Sequence, residues 1–545
     1  MPTLSRFARG GGPATAFPSF VRNHVPELAL FALGVVLRLL MLRGYDIRFS
    51  YDSDDHWPYI AWFGKHWNLP PLSLSRETYH PPLYYVLAGG LLRLGAGRSV
   101  QALSVACGCL RLGLIWFGLE RYLPGRRMAR LVALALAAVL PASVHLDGMI
   151  SGEALSGLLA TMALLLGAQT LRSSGAARWK YAGMTGIVVG LQLLTKVSAL
   201  ATIGALGLAA LLEISHRQIA GEGRLQRFAP WLAGLAMAGA VSGWYFARNE
   251  RLYHKAFLSG FDGGDSWYLG DSQKTPYLDR RTLGFFVEWR TDVFKFPYGP
   301  VAAVPARFWP LIVTSTFVDF YNYHFAPPPE VPSSPRPVSR AAFRLSIASA
   351  VGGAAIALVT TAAWVVAFVT TLRRKEVVRP LFLFMPLVAV LGQLHFGIQY
   401  PVDLVGPIKG LYMQFASAPL YALFGLAVAW LWNRPRWRPL AMLELAALGG
   451  VAAYTIYCRV VGSSLHTHAF KMEHRTTLHQ EAQVARTFGR EGQIPNVEFV
   501  RLAPELFPRN AIVARLNDER YGPVLTTIRA VVDLDRRKGL RATKI

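Results

Sequence analysis

PPLYYVLAGGLLRLGA, residues 81–96, decides how the chain is threaded. It is apolar, but it is short, begins with two prolines and carries Arg93. A segment that crosses a hydrocarbon core of about 30 Å needs about 20 apolar residues. On either side the chain offers blocks that meet this demand, such as VPELALFALGVVLRLLML from Val25 and ALSGLLATMALLLGAQTL from Ala154. Expected spans are 25–44, 99–119, 129–146, 153–171, 180–195, 197–213, 229–247, 345–371, 379–398, 409–432 and 439–461. That makes about eleven transmembrane helices.

The basic connectors settle the role of 81–96. They are Arg6, Arg9 and Arg22; Arg121, Arg126, Arg127 and Arg130; Arg172, Arg178 and Lys180; Arg217, Arg224 and Arg227; Arg373, Arg374, Lys375 and Arg379; and Arg434, Arg436 and Arg438. Short loops rich in Arg and Lys stay in the cytoplasm. If 81–96 crosses, every cluster after the first faces outward. If it lies along the interface, all face inward, so 81–96 is predicted to be an interfacial or re-entrant helix. The expected organisation is a cytoplasmic tail (1–24), a transmembrane domain (25–461) and a periplasmic C-terminal appendix (462–545). The transmembrane domain has a first outer loop (45–98) and a large outer loop (248–344), and 147–152 and 399–408 also face outward. The mixed pattern of VEFVRLAPELF and AIVARLNDERYGPVLTTIRAVVDL predicts a small α/β unit in the appendix. The Pro-rich stretch 326–339 reads as a loop, and no internal repeat is evident.

Composition agrees. The 545 residues are 53% hydrophobic and 16% charged, where a soluble domain carries about 25% charged. A formal charge of +25 would suggest nucleic acid in a soluble protein. Here Arg sits in short connectors, where it sets membrane orientation or meets anionic headgroups and phosphates. Cys107, Cys109 and Cys458 give neither a disulfide framework nor a zinc spacing. The N-terminus has no apolar core or cleavage site of a signal peptide and reads as a cytoplasmic tail.

The chemistry concentrates in the expected outer segments. In YDSDDHWPYIAWFGKHW, Asp52, Asp54, Asp55 and His56 follow the first span, interleaved with Trp57, Tyr59, Trp62 and Trp67. Packed carboxylates repel, so one is expected to hold its proton more tightly unless a cation is near. That suits a general base, and the aromatics place the charges against the membrane, where unused charge is costly. Pro58 predicts an irregular or extended start, which puts Asp52 and Asp54 on one face and turns Asp55 away. A second acidic group is HLDGMISGEALSG, with His145, Asp147 and Glu153. Lys196, Arg248 and Lys409 are cations on the side where few are expected. Snorkelling accounts for lone cations at helix ends. Three converging near an acid pair are instead suited to hold a lipid-linked phosphate. Asp52, Asp54 and His56 could bind a divalent metal, although no spacing demands one. The chain has no GxxxxGK[ST], no GxGxxG in a strand context and no HExxH. This argues against a cytoplasmic nucleotide-sugar site.

Asp52 to Tyr59 (D-x-D-x-H-x-x-Y) followed by YHPPLYY (79–85) resembles the superfamily of dolichyl-phosphate-mannose protein mannosyltransferases and bacterial lipid A aminoarabinose transferases. SGEAL (151–155), LTKVS (194–198), GWYFARN (243–249) and KGLY (409–412) resemble further blocks, in order, over about residues 25–432. The resemblance implies an all-α polytopic type C glycosyltransferase fold with interfacial helices in the first outer loop and an active site at the periplasmic face of the inner membrane. It implies a polyprenyl-phosphate sugar donor and a lipid, glycan or protein acceptor. By motif position it assigns Asp52 as base with Asp54 beside it, and Glu153 as the second acid, where relatives often carry Asp. Lys196, Arg248 and Lys409 become the phosphate ligands, and His56, His80 and Tyr412 position donor or acceptor. The other readings are a lipid-linked sugar flippase or transporter, and a surface-polysaccharide polymerase or ligase. Transporters more often place charge at the midplane within repeats, whereas these charges gather at one face.

Overall fold

A computed structural model describes residues 23–44, 53–75, 77–94, 97–216, 223–260, 275–290, 307–318, 340–374, 376–401, 408–462, 497–500, 511–516, 526–535 and 539–544. Seven of its helices are long and apolar enough to cross a membrane: Val25–Leu42, Ser99–Tyr122, Glu153–Arg172, Arg344–Arg373, Val378–Gln399, Gly410–Trp432 and Pro435–Val460. The protein is a multi-pass membrane protein.

α1 (Val25–Gly44) is followed by α2 (Ser53–Lys65) and α3 (Leu83–Arg93), then by α4 (Gly97–Tyr122). α3 holds the segment that decides the threading. Its 11 residues span about 16 Å at 1.5 Å per residue, too short to cross. It lies tightly on α2: a Cβ on Gly89 would sit 2.5 Å from Phe63 Cβ and 2.9 Å from the Gly64 nitrogen.

The expected span 129–146 is broken. α5 (Arg127–Val139) stops at Leu140, which is extended, and α6 (Pro141–Leu146) restarts with proline at its first position. Proline disfavours a helical residue before it and tolerates a helix start, where its missing N–H costs nothing. The break leaves 147–152 as a turn that delivers Glu153 to the start of α7 (Glu153–Arg172).

α8 (Gly175–Leu193), α9 (Ala199–His216) and α10 (Arg224–Tyr253) carry the expected spans 180–195, 197–213 and 229–247. α9 is apolar but short, while α8 and α10 mix apolar with charged and small residues. Small residues let helices approach closely in lipid. A side chain on Gly186 would strike the Gly234 carbonyl, and a Cβ on Gly190 would lie 2.9 Å from the Ala238 oxygen.

α11 (Leu283–Val287) and α12 (Phe308–Phe317) precede the long α13 (Arg340–Arg373) and α14 (Val378–Gln399). The expected span 409–432 begins as a 3-10 helix, Gly410–Ala416, and becomes α15 at Ser417–Trp432. Arg111 and the Ser417 hydroxyl both donate to the Gln414 carbonyl, which also accepts the Ser417 backbone N–H in the i, i+3 bond that closes the 3-10 turn. α16 (Arg438–Tyr457) ends in a π turn, Cys458–Gly462. Two apolar cores result. One gathers α2 and α3 with α7, α8, α9 and α14. The other gathers α1, α4 and α5 with α12, α13, α15 and α16.

In the tail, β1 (Val497–Val500), β2 (Ala511–Leu516), β3 (Thr526–Asp535) and β4 (Gly539–Lys544) form an antiparallel sheet in sequence order. Val497 pairs with Leu516, Ala511 with Val531 and Val531 with Thr543. Helices expected in the appendix fall outside the described residues.

Candidate active site

The first loop is built on stacked aromatics. The Tyr59 and Tyr85 rings lie 3.9 Å apart at 18°, bringing α2 and α3 together beside two imidazoles. His56 Nδ1 is 2.8 Å from the Tyr85 hydroxyl. His80 Nε2 is 2.7 Å from Glu77 Oε2, which lies 3.9 Å from His56 Nδ1. The two imidazoles stack with centroids 6.1 Å apart. Burial pushes the Tyr59, Tyr84 and Tyr85 hydroxyls well above the usual phenol range, so all three stay protonated at neutral pH. For Tyr85 the Glu77 carboxylate adds to the effect.

The acidic motif differs from its expectation. Residues from Ser53 onward are helical rather than extended, so Asp54 and Asp55 occupy the first turn of α2. Carboxylates are favoured there by the helix dipole. Asp55 is half-buried rather than turned to solvent, and its carbonyl accepts the Ser75 hydroxyl at 2.7 Å. Asp52 and the Asp54 side chain lie outside the described residues.

Glu153 and the two lysines come together. Lys196 occupies the break between α8 and α9, held by its N–H donating to the Gln192 carbonyl at 2.8 Å. The Leu83 N–H donates to the Leu194 carbonyl at 2.8 Å, so this break is tied to the start of α3. Lys196 Nζ pairs with Glu153 Oε1 and stands 4.9 Å from the centre of the Tyr412 ring. Lys409 Nζ stands 5.2 Å from that ring and donates to its hydroxyl at 3.3 Å. One aromatic ring thus meets two ammonium groups, each in cation–π range. The next residue is anchored from behind, since Gly410 N–H donates to Ser315 Oγ on α12 at 2.7 Å.

Arg248, near the end of α10, joins the first loop. Its Nη1 donates to Asn249 Oδ1 at 3.2 Å, and its guanidinium lies 5.8 Å from the Tyr253 ring centre. One turn earlier the Tyr245 hydroxyl lies 3.1 Å from the Tyr79 carbonyl and 3.2 Å from that of His80. The Arg248 charge reaches the Tyr59 hydroxyl and opposes the upward push of burial.

Asp147, grouped with Glu153 in the sequence, has a different partner. Arg38 Nε donates to Asp147 Oδ2 at 2.7 Å, with the side chains only 3% and 2% exposed. Arg38 also donates to the carbonyls of Gly34 and Ala138. His145 is buried beside Arg459. Sequence reasoning missed Arg38 and Glu77. An arginine inside an apolar run and the i, i+3 spacing of Glu77 and His80 were the available signals. Among the described residues, no three His, Cys, Asp or Glu side chains are placed to hold a metal ion.

The sequence matches no family model and no curated protein. Solved structures do resemble the fold. A protein O-mannosyltransferase complex of S. cerevisiae bound to its sugar donor is 18% identical, with a TM-score of 0.33, over 46% of this chain and 36% of that one. The oligosaccharyltransferase AglB of Archaeoglobus fulgidus, in complex with an inhibitory peptide and a dolichol-phosphate, is 12% identical, with a TM-score of 0.38, over 82% of this chain and 56% of that one. ArnT of Cupriavidus metallidurans bound to undecaprenyl phosphate is 13% identical, with a TM-score of 0.44, over 89% of this chain and 84% of that one. The chain spans about a third to about half the length of the first two.

Proposed function

We propose that the protein is a membrane glycosyltransferase that moves a sugar from a polyprenyl-phosphate donor to a lipid, glycan or protein acceptor at the periplasmic face. The observation that carries this reading is the grouping of Glu153, Lys196, Lys409 and Tyr412 beside the first-loop helices. Two ammonium groups and a carboxylate around one aromatic ring suit a phosphate that leaves from a sugar.

In this reading the acceptor oxygen attacks the anomeric carbon as a first-loop carboxylate, Asp52 with Asp54 beside it, takes the acceptor proton. The bond from the anomeric carbon to the phosphate oxygen breaks, and its electron pair leaves on the polyprenyl phosphate. Charge grows there in the transition state, and Lys196, Lys409 and Arg248 offset it. Removing one such preorganised donor typically costs about 10²–10³-fold in rate. One displacement inverts the anomeric centre. His56, His80 and Tyr412 position the substrates.

The test is purified protein offered a panel of radiolabelled polyprenyl-phosphate sugars, scored for carrier loss and for the identity of the product. Consumption of one donor with label in an acceptor is expected. Movement of intact donor across the bilayer without consumption would instead make the protein a transporter. Neutral substitution of Lys196, Arg248 or Lys409 should weaken donor binding or slow transfer while the protein still inserts. Unchanged kinetics in all three would leave them as interface anchors.

A further inference from the structure

Lys196 is already occupied. Its ammonium group pairs with Glu153, so the cation meant for a phosphate and the second acid neutralise each other. Directly beneath this pair are polar side chains without partners. Gln192 is fully buried, and among the described residues neither its amide nitrogen nor its amide oxygen has a hydrogen-bond partner; buried Ser156 Oγ has none there either. Their placement follows from helix geometry. Gln192 and Lys196 are four apart and joined by a helical hydrogen bond, while Glu153 and Ser156 are three apart on α7, so each pair shares a face. Because Glu153 meets Lys196, those faces oppose each other. The helix ends are level, since a Cβ on Gly152 would lie 3.4 Å from the Thr195 carbonyl oxygen. Ser156 on α7 and Gln192 on α8 therefore each lie one turn, about 5 Å, below the ion pair.

We propose that the Glu153–Lys196 ion pair is a lock that the donor phosphate opens, and that Gln192 receives the released carboxylate. In the empty site Glu153 holds Lys196. An arriving phosphate takes the ammonium group, and the Glu153 carboxylate turns down to accept from the Gln192 amide and the Ser156 hydroxyl. The lock lowers the affinity of every anion by the same factor, because only the open fraction binds. Gln192 is a positioning residue in this scheme and touches no substrate.

This inference rests on the glycosyltransferase reading, and one binding series separates the two. Undecaprenyl phosphate is titrated into purified full-length protein in detergent, with monodispersity and melting temperature recorded for each variant. The wild type is expected to bind, and Lys196→Gln to bind poorly. Glu153→Gln should bind about ten-fold more tightly, as removal of a competitor for the same cation requires, although its transfer rate falls. Glu153→Asp, whose arm is one methylene shorter and holds Lys196 less closely, gives the same direction and serves if the Gln variant misfolds. Gln192→Leu should weaken binding in the wild-type background and have no effect on top of Glu153→Gln, a coupling that a merely structural role would not produce. Absence of binding by the wild type overturns the functional reading and the lock with it. Binding by the wild type with equal or weaker binding by both Glu153 variants overturns the lock alone.

Discussion

Asp147 and Glu153 are six positions apart and both acidic, yet they have different roles in the structure. Asp147 is committed to Arg38, and the pair is almost wholly buried. Breaking a buried pair leaves one charge uncompensated at a cost of about 3–5 kcal/mol, whereas replacing both partners with apolar residues is often near neutral. Arg38→Met should therefore lower the melting temperature in detergent markedly, and Arg38→Met with Asp147→Leu should recover most of the loss. Glu153, by contrast, opens toward the first loop. For the base, Asp52→Asn keeps size and hydrogen bonding but cannot take a proton. Transfer should fall about 10²–10⁴-fold with donor binding retained, Asp54→Asn should do equal or lesser harm, and Asp55→Asn should be mild. Single-turnover rates with saturating donor check all three, and full activity in a well-folded Asp52→Asn protein would move attention to Glu153. Glu153, Lys196, Lys409 and Tyr412 were legible because each sits in a short motif whose residue types state their chemistry. Glu77 and Arg38 were not, because their importance lies in partners that only folding supplies.

At the scale of elements, the site depends on close helix crossings. Lys196 follows the end of α8 and Arg248 lies near the end of α10, and the two helices touch backbone to backbone at Gly186 and Gly234. Gly186→Leu should wedge them apart and weaken donor binding without touching a charged residue, and the same titration as above would read the effect. A variant at Gly183, where an added Cβ meets nothing, is the matching control. The sequence showed where most helices run, because apolar length is a local property. It did not show that 129–146 breaks at Leu140, although Pro141 was in view, since a proline can also sit within a continuing helix, as Pro386 does in α14. Nor did it show that 410–416 winds as a 3-10 helix, a conformation bound up with a carbonyl captured by Arg111 from α4.

For the molecule as a whole, the expected threading turns on α3, whose 11 residues are too few to cross. Cysteine labelling at about positions 125, 222 and 520 tests it: the first two should be reached only from the cytoplasm and the third only from outside. Periplasmic labelling at 125 would invert the orientation. The other end of the bundle carries its own polar brace. Arg178 donates to Glu213 Oε2 at 2.7 Å, and Trp231 Nε1 donates to the same oxygen at 3.0 Å. This brace ties α8, α9 and α10 at the end away from Lys196. The orientation expected from the basic connectors, which are numerous and agree, is what the cysteine labelling decides. Of the about eleven expected spans, seven are long and apolar enough to cross among the described residues, and α8 and α10 trade apolar length for small residues that let them pack closely.

The Arg38–Asp147 contact also has a consequence in time. The ribosome makes Arg38 109 residues before its partner, a delay of roughly 5–20 s at ordinary elongation rates. Throughout that interval the nascent first helix bears a guanidinium that has no permanent counter-ion. Synthesis of this protein thus contains a waiting step, and variants of Asp147 should show up first as quality-control degradation of half-made chains and only later as loss of activity.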